Sequence, residues 1–282
     1  MKGPHTLIWL ATLFAWLAAS ASVRVQAAPA AAAELHARTV DAFDRYVRRT
    51  EARLNGVGPF LWIDRLPDVK RREAVETVRR MGLSIERLEE TDENGRGIEV
   101  PDGMIHHWVG TAFVSGASIE QALTLLQDYD AHQRIFAPTV AASKLISRDG
   151  PRFTFFLRFV LRKVITVTVN SEHEAVFRRP ASDRAEGWIR STRIAEVENA
   201  GGAGEREKPV GNDGGYLWRL NTYWRLQARD GGLYVQCESV SLSRGIPFGL
   251  GWIVGPFVTS IPRESLTFTL ETTQRHLERA RR

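Results

Sequence analysis

Candidate binding chemistry in this sequence lies in arginine, tyrosine and acidic residues on strand-like segments. The guanidinium groups of Arg158, Arg193 and Arg219 could bind a carboxylate or phosphate, because their planar fork matches both. Neighbouring positions add apolar walls with polar anchors, which is how ligand pockets are usually built. These further candidates are Asn221, Tyr223, Tyr234 and Glu238. The alternative is that this mixed face meets solvent and its charges pair across strands.

Catalytic chemistry is weakly indicated. A general acid or base could come from His107, His173, Tyr223 or Glu238 in a cavity that shifts their pKa values, but no spacing selects one. His106 and His107 point to opposite faces of a strand, and neither a Gly-x-Ser-x-Gly motif nor metal-ligand spacing is present. We therefore predict no catalytic residue, no metal and no cofactor, and leave open whether the protein is an enzyme.

An apolar, glycine-punctuated segment from Ile246 to Phe257 precedes the C-terminal helix, which we predict to begin at about Ile261. As a loop, the segment would form a gate to a ligand site or touch a membrane surface. As a short helix, it would fill the core. We favour the loop, and the segment supplies three more candidate ligand-binding residues: Phe248, Trp252 and Phe257.

Strands separated by explicit turn signals must position these residues. Asp230-Gly231 should centre a hairpin with Trp224 opposite Cys237 and Tyr223 opposite Glu238. The pattern does not say which hairpin face meets the last helix. The seven predicted strands are Met104 to Val114, Thr139 to Arg148, Arg152 to Leu161, Val164 to Phe177, Trp188 to Val197, Tyr216 to Ala228 and Leu233 to Ser243.

Helical periodicity predicts four helices, at Glu34 to Leu54, Pro67 to Met81, Ser118 to Tyr129 and the C-terminus. The third opens with a capping box, Ser118 to Gln121. Leu83 to Glu89 is either a strand or a helical tail. The polar segment from Asn199 to Gly215 has almost nothing to bury and is predicted to be a mobile loop. The last helix carries an apolar stripe of Leu266, Leu270, Thr273 and Leu277.

This order of elements resembles the helix-grip fold of the START-like (SRPBCC) superfamily, which includes lipid-transfer domains, polyketide cyclases and coenzyme Q-binding proteins. The resemblance covers about Gly103 to Arg282. The residues that carry it are Ser118 to Tyr129 with Phe136-Ala137-Pro138 and Ser143-Lys144-Leu145, then Trp224, Glu238, Ser241, Ile246-Pro247, Pro262 and Leu266. It implies an α+β fold, with a seven-stranded antiparallel sheet curved around a long C-terminal helix. The N-terminal helical extension is a departure, because it is not part of the usual domain.

The resemblance also implies a function, although the superfamily has no universal catalytic signature to carry over. We expect a binding protein for a hydrophobic or amphipathic small molecule, such as a lipid, quinone or sterol-like compound, held between the sheet and the last helix. A cyclase/aromatase-like enzyme using the same cavity, or a scaffold with a filled core, are the alternatives. Peripheral membrane contact is also expected.

The N-terminus predicts export. Lys2, the apolar run from Leu7 to Ala19 and the small residues up to Ala27 have the order of a cleavable signal peptide, and the run is too short for a membrane anchor. The predicted domains are residues 1–27 (signal peptide), 28–95 (helical extension) and 96–282 (START-like domain), in a periplasmic or secreted protein. The lone Cys237 cannot form an internal disulfide and is predicted to be a small buried hydrophobe.

Composition excludes some classes of function. The chain is 43% hydrophobic and 25% charged, which is typical of a globular protein. Its formal net charge of +5 is mild, and no arginine run is interleaved with aromatic residues. We therefore predict no nucleic-acid partner.

Overall fold

We describe a computed structural model of the chain at residues 33–162, 165–245 and 251–280, with the backbone alone for residues 251–259. The predicted signal peptide and Phe248 lie outside the described residues. The helices are α1 (Ala37–Asn55), α2 (Asp68–Arg79), α3 (Ile119–Gln127), α4 (His132–Ile135) and α5 (Gly251–Ala280), with 3-10 turns at Trp62–Arg65 and Tyr129–Ala131. The strands are β1 (Ala33–Glu34), β2 (Ser84–Arg87), β3 (Gly103–Ser115), β4 (Val140–Asp149), β5 (Arg152–Arg162), β6 (Thr166–Ala181), β7 (Arg184–Glu198), β8 (Arg206–Glu207), β9 (Asn212–Asp213), β10 (Arg219–Arg229) and β11 (Gly232–Arg244).

One antiparallel sheet of nine strands forms the centre of the molecule, in the order β2-β3-β11-β10-β7-β6-β5-β4 with β8 on β7. All seven predicted strands are present. The short strands β2 and β8 account for the larger number, and β1 pairs separately with β9. With two helices after the first long strand and a long helix at the end, the architecture is the START-like helix-grip fold. The predicted fold class is confirmed.

The β10–β11 hairpin has the predicted register. Asp230 and Gly231 form its two-residue turn with φ values of +57° and +75°, as a type I′ turn requires. Trp224 pairs with Cys237 and Tyr223 with Glu238. Because side chains alternate along a strand, this register separates two faces: an inner face toward α5 and an outer face on the other side.

Helix α5 lies across the inner face. Its predicted stripe is buried, with Leu270, Thr273 and Leu277 at 0% exposure. The predicted start at Ile261 is wrong, because the helix begins at Gly251. Pro262 and Pro256 therefore lie inside it. Each proline lacks one N–H and so removes one intrahelical hydrogen bond, but the bonds on either side keep the backbone helical.

Helix α5 approaches the sheet closely at Gly110 of β3. A Cβ atom built there would lie 2.4 Å from Leu270 Cδ1. Beyond this contact, the side chain of Gln274 donates from Nε2 to the backbone oxygen of Phe113 at 3.1 Å. The C-terminal half of α5 is thus held directly on β3.

The N-terminal extension covers the outer face. Helix α1 buries Phe43 and Tyr46 in an apolar cluster with Tyr223, Val240 and Leu242. Leu61, Ile63 and Val78 form a second cluster with Phe113 and Tyr234. The sequence left open whether Leu83 to Glu89 is a strand or a helical tail. The segment contains strand β2, which pairs with β3 at the edge of the sheet. The extension is therefore integral to the sheet's packing.

The segment from Asn199 to Gly215 is not the mobile loop that its composition predicts. Strand β8 pairs with β7, and β9 pairs with β1. Asp213 is 2% exposed, and its Oδ1 accepts hydrogen bonds from the Trp218 indole and the Gly215 amide. These bonds compensate for burying Asp213, while residues 201 to 207 of the segment are exposed.

No helix of the described residues is long and apolar enough to cross a membrane.

Candidate functional site

A cavity of about 800 Å³ lies between the inner face of the sheet and the N-terminal half of α5. Strands β5, β6, β7, β10 and β11 form its floor, the α3–α4 region closes one side, and Ile261 to Thr269 form the roof. Most of the lining is apolar. The apolar wall residues are Leu126, Phe136, Val140, Phe155, Leu157, Phe159, Leu161, Val167, Ile189, Val197, Leu217, Leu220, Trp224, Ile261, Leu266 and Phe268.

An aromatic stack reinforces one wall. The ring of Phe155 is stacked on Tyr129, with centroids 3.7 Å apart, and on His173 at 5.0 Å. Burial raises the pKa of the Tyr129 hydroxyl, which therefore stays protonated. The Tyr129 hydroxyl and His173 Nδ1 are buried without a hydrogen-bond partner among the described residues. This wall therefore combines a large apolar surface with polar atoms that protein groups leave unsatisfied.

The histidines of the lining are uncharged at neutral pH. Burial lowers the pKa of His106 to about 4, that of His132 to about 4 and that of His173 to about 3. In each case desolvation of the charged ring is the main cause. The cavity therefore has histidine hydrogen-bonding groups without histidine charges.

Charge in the lining is found near one end. Glu196 is buried, accepts hydrogen bonds from the amides of Gly214 and Tyr216, and pairs with Lys208 Nζ at 3.1 Å. Ile165 is 37% exposed and lies in the lining, so the cavity meets solvent at the beginning of β6.

The face predicted to line a pocket is the outer face, away from the cavity. Of the seven predicted residues from Arg158 to Glu238, none lies in the cavity lining. Tyr223 is 2% exposed, donates to Glu51 of α1 at 3.1 Å and accepts from the Asn221 amide at 3.4 Å. This face neither lines the cavity nor meets solvent as an ordinary wet face, because the N-terminal extension covers it. The prediction chose the wrong face for the cavity.

Glu238 is the centre of a buried network on the outer face. Its Oε1 accepts from His107 Nε2 at 2.9 Å and from Arg53 Nη2 at 2.6 Å, and Tyr46 Oη lies 2.9 Å from His107 Nδ1. Burial alone would raise the pKa of Glu238, but the hydrogen bonds and charges of His107 and Arg53 outweigh it and hold the pKa below its ordinary value. The carboxylate therefore stays ionised and ties α1 to β3 and β11.

The other predicted residues hold structural contacts. Tyr234 is buried beneath the extension and donates to Asp230 at 3.0 Å. Arg158 pairs with Glu205 at 2.6 Å and Arg193 with Glu207, so both fasten the segment around β8 to the sheet. Arg219 donates to the backbone oxygen of Trp218. A ligand-binding role for these residues is not tested and stays a prediction.

Trp252 and Phe257 lie in α5, where the backbone alone is described. The helix contradicts the loop that we favoured for this part of the segment. The role of these two residues in ligand binding remains a prediction.

Sequence reasoning missed the residues that do line the cavity. On the hairpin they are Thr222, Trp224, Cys237, Ser239, Ser241 and Ser243. A signal was present: serines occupy alternate positions 239, 241 and 243, while Val240 and Leu242 lie between them. Cys237 is buried, as predicted, and burial raises the pKa of its thiol, so it is an un-ionised wall residue.

Comparisons with known proteins place the chain among remote structural neighbours. No protein-family model matches the sequence, and no curated protein matches it. The chain is similar to a STAR-related lipid transfer protein from Xanthomonas axonopodis (16% identity, 68% of this chain and 98% of that chain, TM-score 0.41). It is also similar to the Zhui aromatase/cyclase from Streptomyces sp. R1128 (13% identity, 64% and 97%, TM-score 0.41) and to human STARD10 (9% identity, 75% and 80%, TM-score 0.42). Structural similarity with TM-scores of 0.41 and 0.42 does not indicate which ligand this chain binds or whether it catalyses a reaction.

Proposed function

We propose that this protein binds a hydrophobic or amphipathic small molecule between the sheet and α5, and that it does so after export from the cytoplasm. The observation that supports binding is the cavity of about 800 Å³ with a mainly apolar lining. Ligand sites for small molecules typically occupy ~300 to 1,000 Å³ and combine apolar walls with a few polar groups.

The size of the cavity argues against a scaffold with a filled core. Protein interiors are normally packed as densely as organic crystals, and an unfilled space forfeits contacts for every residue around it. Here the rings of Phe155, Phe159 and Trp224 face that space. A ligand restores those contacts, and burying its apolar surface contributes roughly 25 cal/mol per Å².

Retention of a ligand tests the binding proposal. Delipidated protein is soaked in a lipid extract and examined by native mass spectrometry, and a retained mass is expected. Leu220→Trp, which places an indole inside the cavity, should lower retention strongly. Ile146→Trp, at a 51% exposed position on β4, is the matched control and should retain the ligand. Protein that stays empty, or equal retention by both variants, would overturn the proposal.

Export is the second part of the proposal and rests on Lys2, the apolar run from Leu7 to Ala19 and the small residues that follow. In a bacterial host, we expect a C-terminally tagged chain in the periplasmic or secreted fraction, with a mass that corresponds to cleavage after Ala27. Uncleaved protein in the cytoplasmic fraction would contradict it. Peripheral membrane contact through residues 246–257 is a further part of the proposal, and binding of the exported protein to vesicles is its test.

A further inference from the structure

We propose that the ligand carries an uncharged polar end with a hydroxyl group, held by a polar strip of five residues: His106, Thr222, Ser239, Ser241 and Ser243. This inference rests on the proposed function and assigns one wall of the cavity to one chemical class of ligand. All five residues lie in the cavity lining.

The strip is continuous because of strand register. Ser241 of β11 is opposite His106 of β3, and Ser239 is opposite Thr222 of β10. The three serines alternate along β11, so they point to the same face. At about 3.4 Å per residue, they span roughly 14 Å along the floor of the cavity.

The polarity of the strip is unusual for its position. His106, Ser241 and Ser243 are each no more than 6% exposed. On the outer face of the same strand, the intervening Val240 and Leu242 are fully buried and apolar. Along residues 239–243, strand β11 thus places apolar side chains toward the N-terminal extension and hydroxyls toward the cavity.

The hydroxyls need partners that the protein does not provide. Within the described ranges, no hydrogen bond joins the hydroxyls of Thr222, Ser239 or Ser241 to another protein group. Polar groups in an interior are normally satisfied, by protein, water or ligand. A polar end of the ligand, or water that it displaces, is the partner that this geometry requires.

The direction of the remaining bonds shows what that polar end must do. Ser243 Oγ lies 3.2 Å from the backbone oxygen of Arg244 and 2.9 Å from His106 Nε2. When the hydroxyl donates to that oxygen, it accepts from Nε2, and Nδ1 of the neutral imidazole is left as an acceptor. Serine and threonine hydroxyls both donate and accept. A ligand hydroxyl can donate to His106 and accept from a serine, which a carboxylate cannot do.

Charge also favours a neutral group. None of the five residues carries a charge at neutral pH. Lys208 and Arg244 are cations of the described lining outside the strip, and Lys208 is paired with Glu196 at 3.1 Å. An anionic group placed on the strip would lose its hydration without gaining a cation from it.

Three probes with one apolar skeleton test the inference: pyrene, 1-hydroxypyrene and pyrene-1-carboxylate, titrated against the full-length mature protein by fluorescence. We expect 1-hydroxypyrene to bind about three- to tenfold more tightly than pyrene, the range of one net hydrogen bond, and the carboxylate to bind most weakly. Ser239→Ala combined with Ser241→Ala should abolish the preference for the hydroxyl, measured as the ratio of the 1-hydroxypyrene and pyrene affinities of the same variant. Ser182→Ala, in an exposed turn outside the cavity, should behave as wild type.

The outcomes separate the inference from the proposed function. Pyrene binding that Leu220→Trp weakens, without a preference for the hydroxyl, would overturn the polar strip and leave the proposed function standing. Tighter binding of the carboxylate would also overturn it, in favour of an anionic ligand. If no probe binds, or Leu220→Trp has no effect on binding, the proposed function itself is overturned.

Discussion

Glu238 shows how a single buried residue can tie an added helix to the sheet. It is fully buried on the outer face, and its carboxylate is paired with Arg53 from α1 and hydrogen-bonded to His107 from β3. A buried ion pair adds little net stability over apolar residues, but removing one partner leaves an uncompensated charge. The buried carboxylate of Glu238 is therefore compensated only while Arg53 keeps α1 in place against β11.

Arg53→Met should therefore destabilise the protein. The apolar replacement keeps much of the packing but leaves the Glu238 carboxylate with one fewer donor, so we expect a loss of about 3 kcal/mol in the free energy of unfolding at pH 7. Urea denaturation measures it. Arg190→Met is the matched control, because its pair with Glu174 is exposed. That variant should stay within about 0.5 kcal/mol of wild type. Equal effects in both variants would contradict this role.

At the scale of single residues, the sequence identified the polar groups but not their surroundings. Tyr223, Tyr234 and Leu242 are too apolar for an ordinary wet face, and all three are buried. The polar groups of Tyr223, Tyr234 and Glu238 have Glu51, Asp230 and Arg53 as partners, two of which belong to α1. Residue types alone cannot say whether a helix or a ligand covers such a face, because both bury the same kind of surface.

At the scale of secondary-structure elements, helix α5 packs closely on β3, because Gly110 places no side chain between them. Gly110→Ala should lower the free energy of unfolding by roughly 1 to 3 kcal/mol, the usual effect of overpacking. Gly97→Ala is the matched control, because a Cβ atom there meets nothing within 4 Å. Thermal and urea denaturation compare the two. A Gly110→Ala protein as stable as Gly97→Ala would show that the helix is not held at this point.

The elements themselves were largely predictable. Most long strands are bounded by turn residues, and the Asp230-Gly231 turn fixes the register of the hairpin that forms part of the cavity floor. The start of α5 was not predictable. Proline commonly occupies the first turn of a helix, whereas Pro262 lies in the interior of this helix. Strand β8 was missed because its pairing depends on distant contacts such as Arg193 with Glu207.

For the whole molecule, the buried histidines make stability depend on pH. His106, His132 and His173 have folded-state pKa values of about 4, 4 and 3, below the ordinary ~6.5. Between pH 6.5 and 4 the unfolded chain binds more protons than the folded one. The contribution of these three neutral histidines to the free energy of unfolding is therefore fully present above pH 6.5 and is lost as the pH falls toward their folded-state pKa values.

We expect the free energy of unfolding to fall by up to about 4 kcal/mol per pH unit near pH 5, roughly 1.4 kcal/mol for each histidine. Urea denaturation between pH 7 and 4 measures the slope. His132→Gln should reduce it by about one third. His276→Gln, at an exposed position of α5, is the matched control. A slope unaffected by His132→Gln would contradict the assignment.

The roof residues and the C-terminal turns of α5 have different neighbours, and this has a kinetic consequence. Leu270, Gln274 and Leu277 hold the C-terminal turns on the sheet, while Ile261 to Thr269 form the roof of the cavity. A passage for the ligand can form when the helix detaches up to Thr269, with the C-terminal turns still in place. The dissociation rate should then follow a local opening free energy and be nearly insensitive to substitutions that change only global stability, such as Arg53→Met.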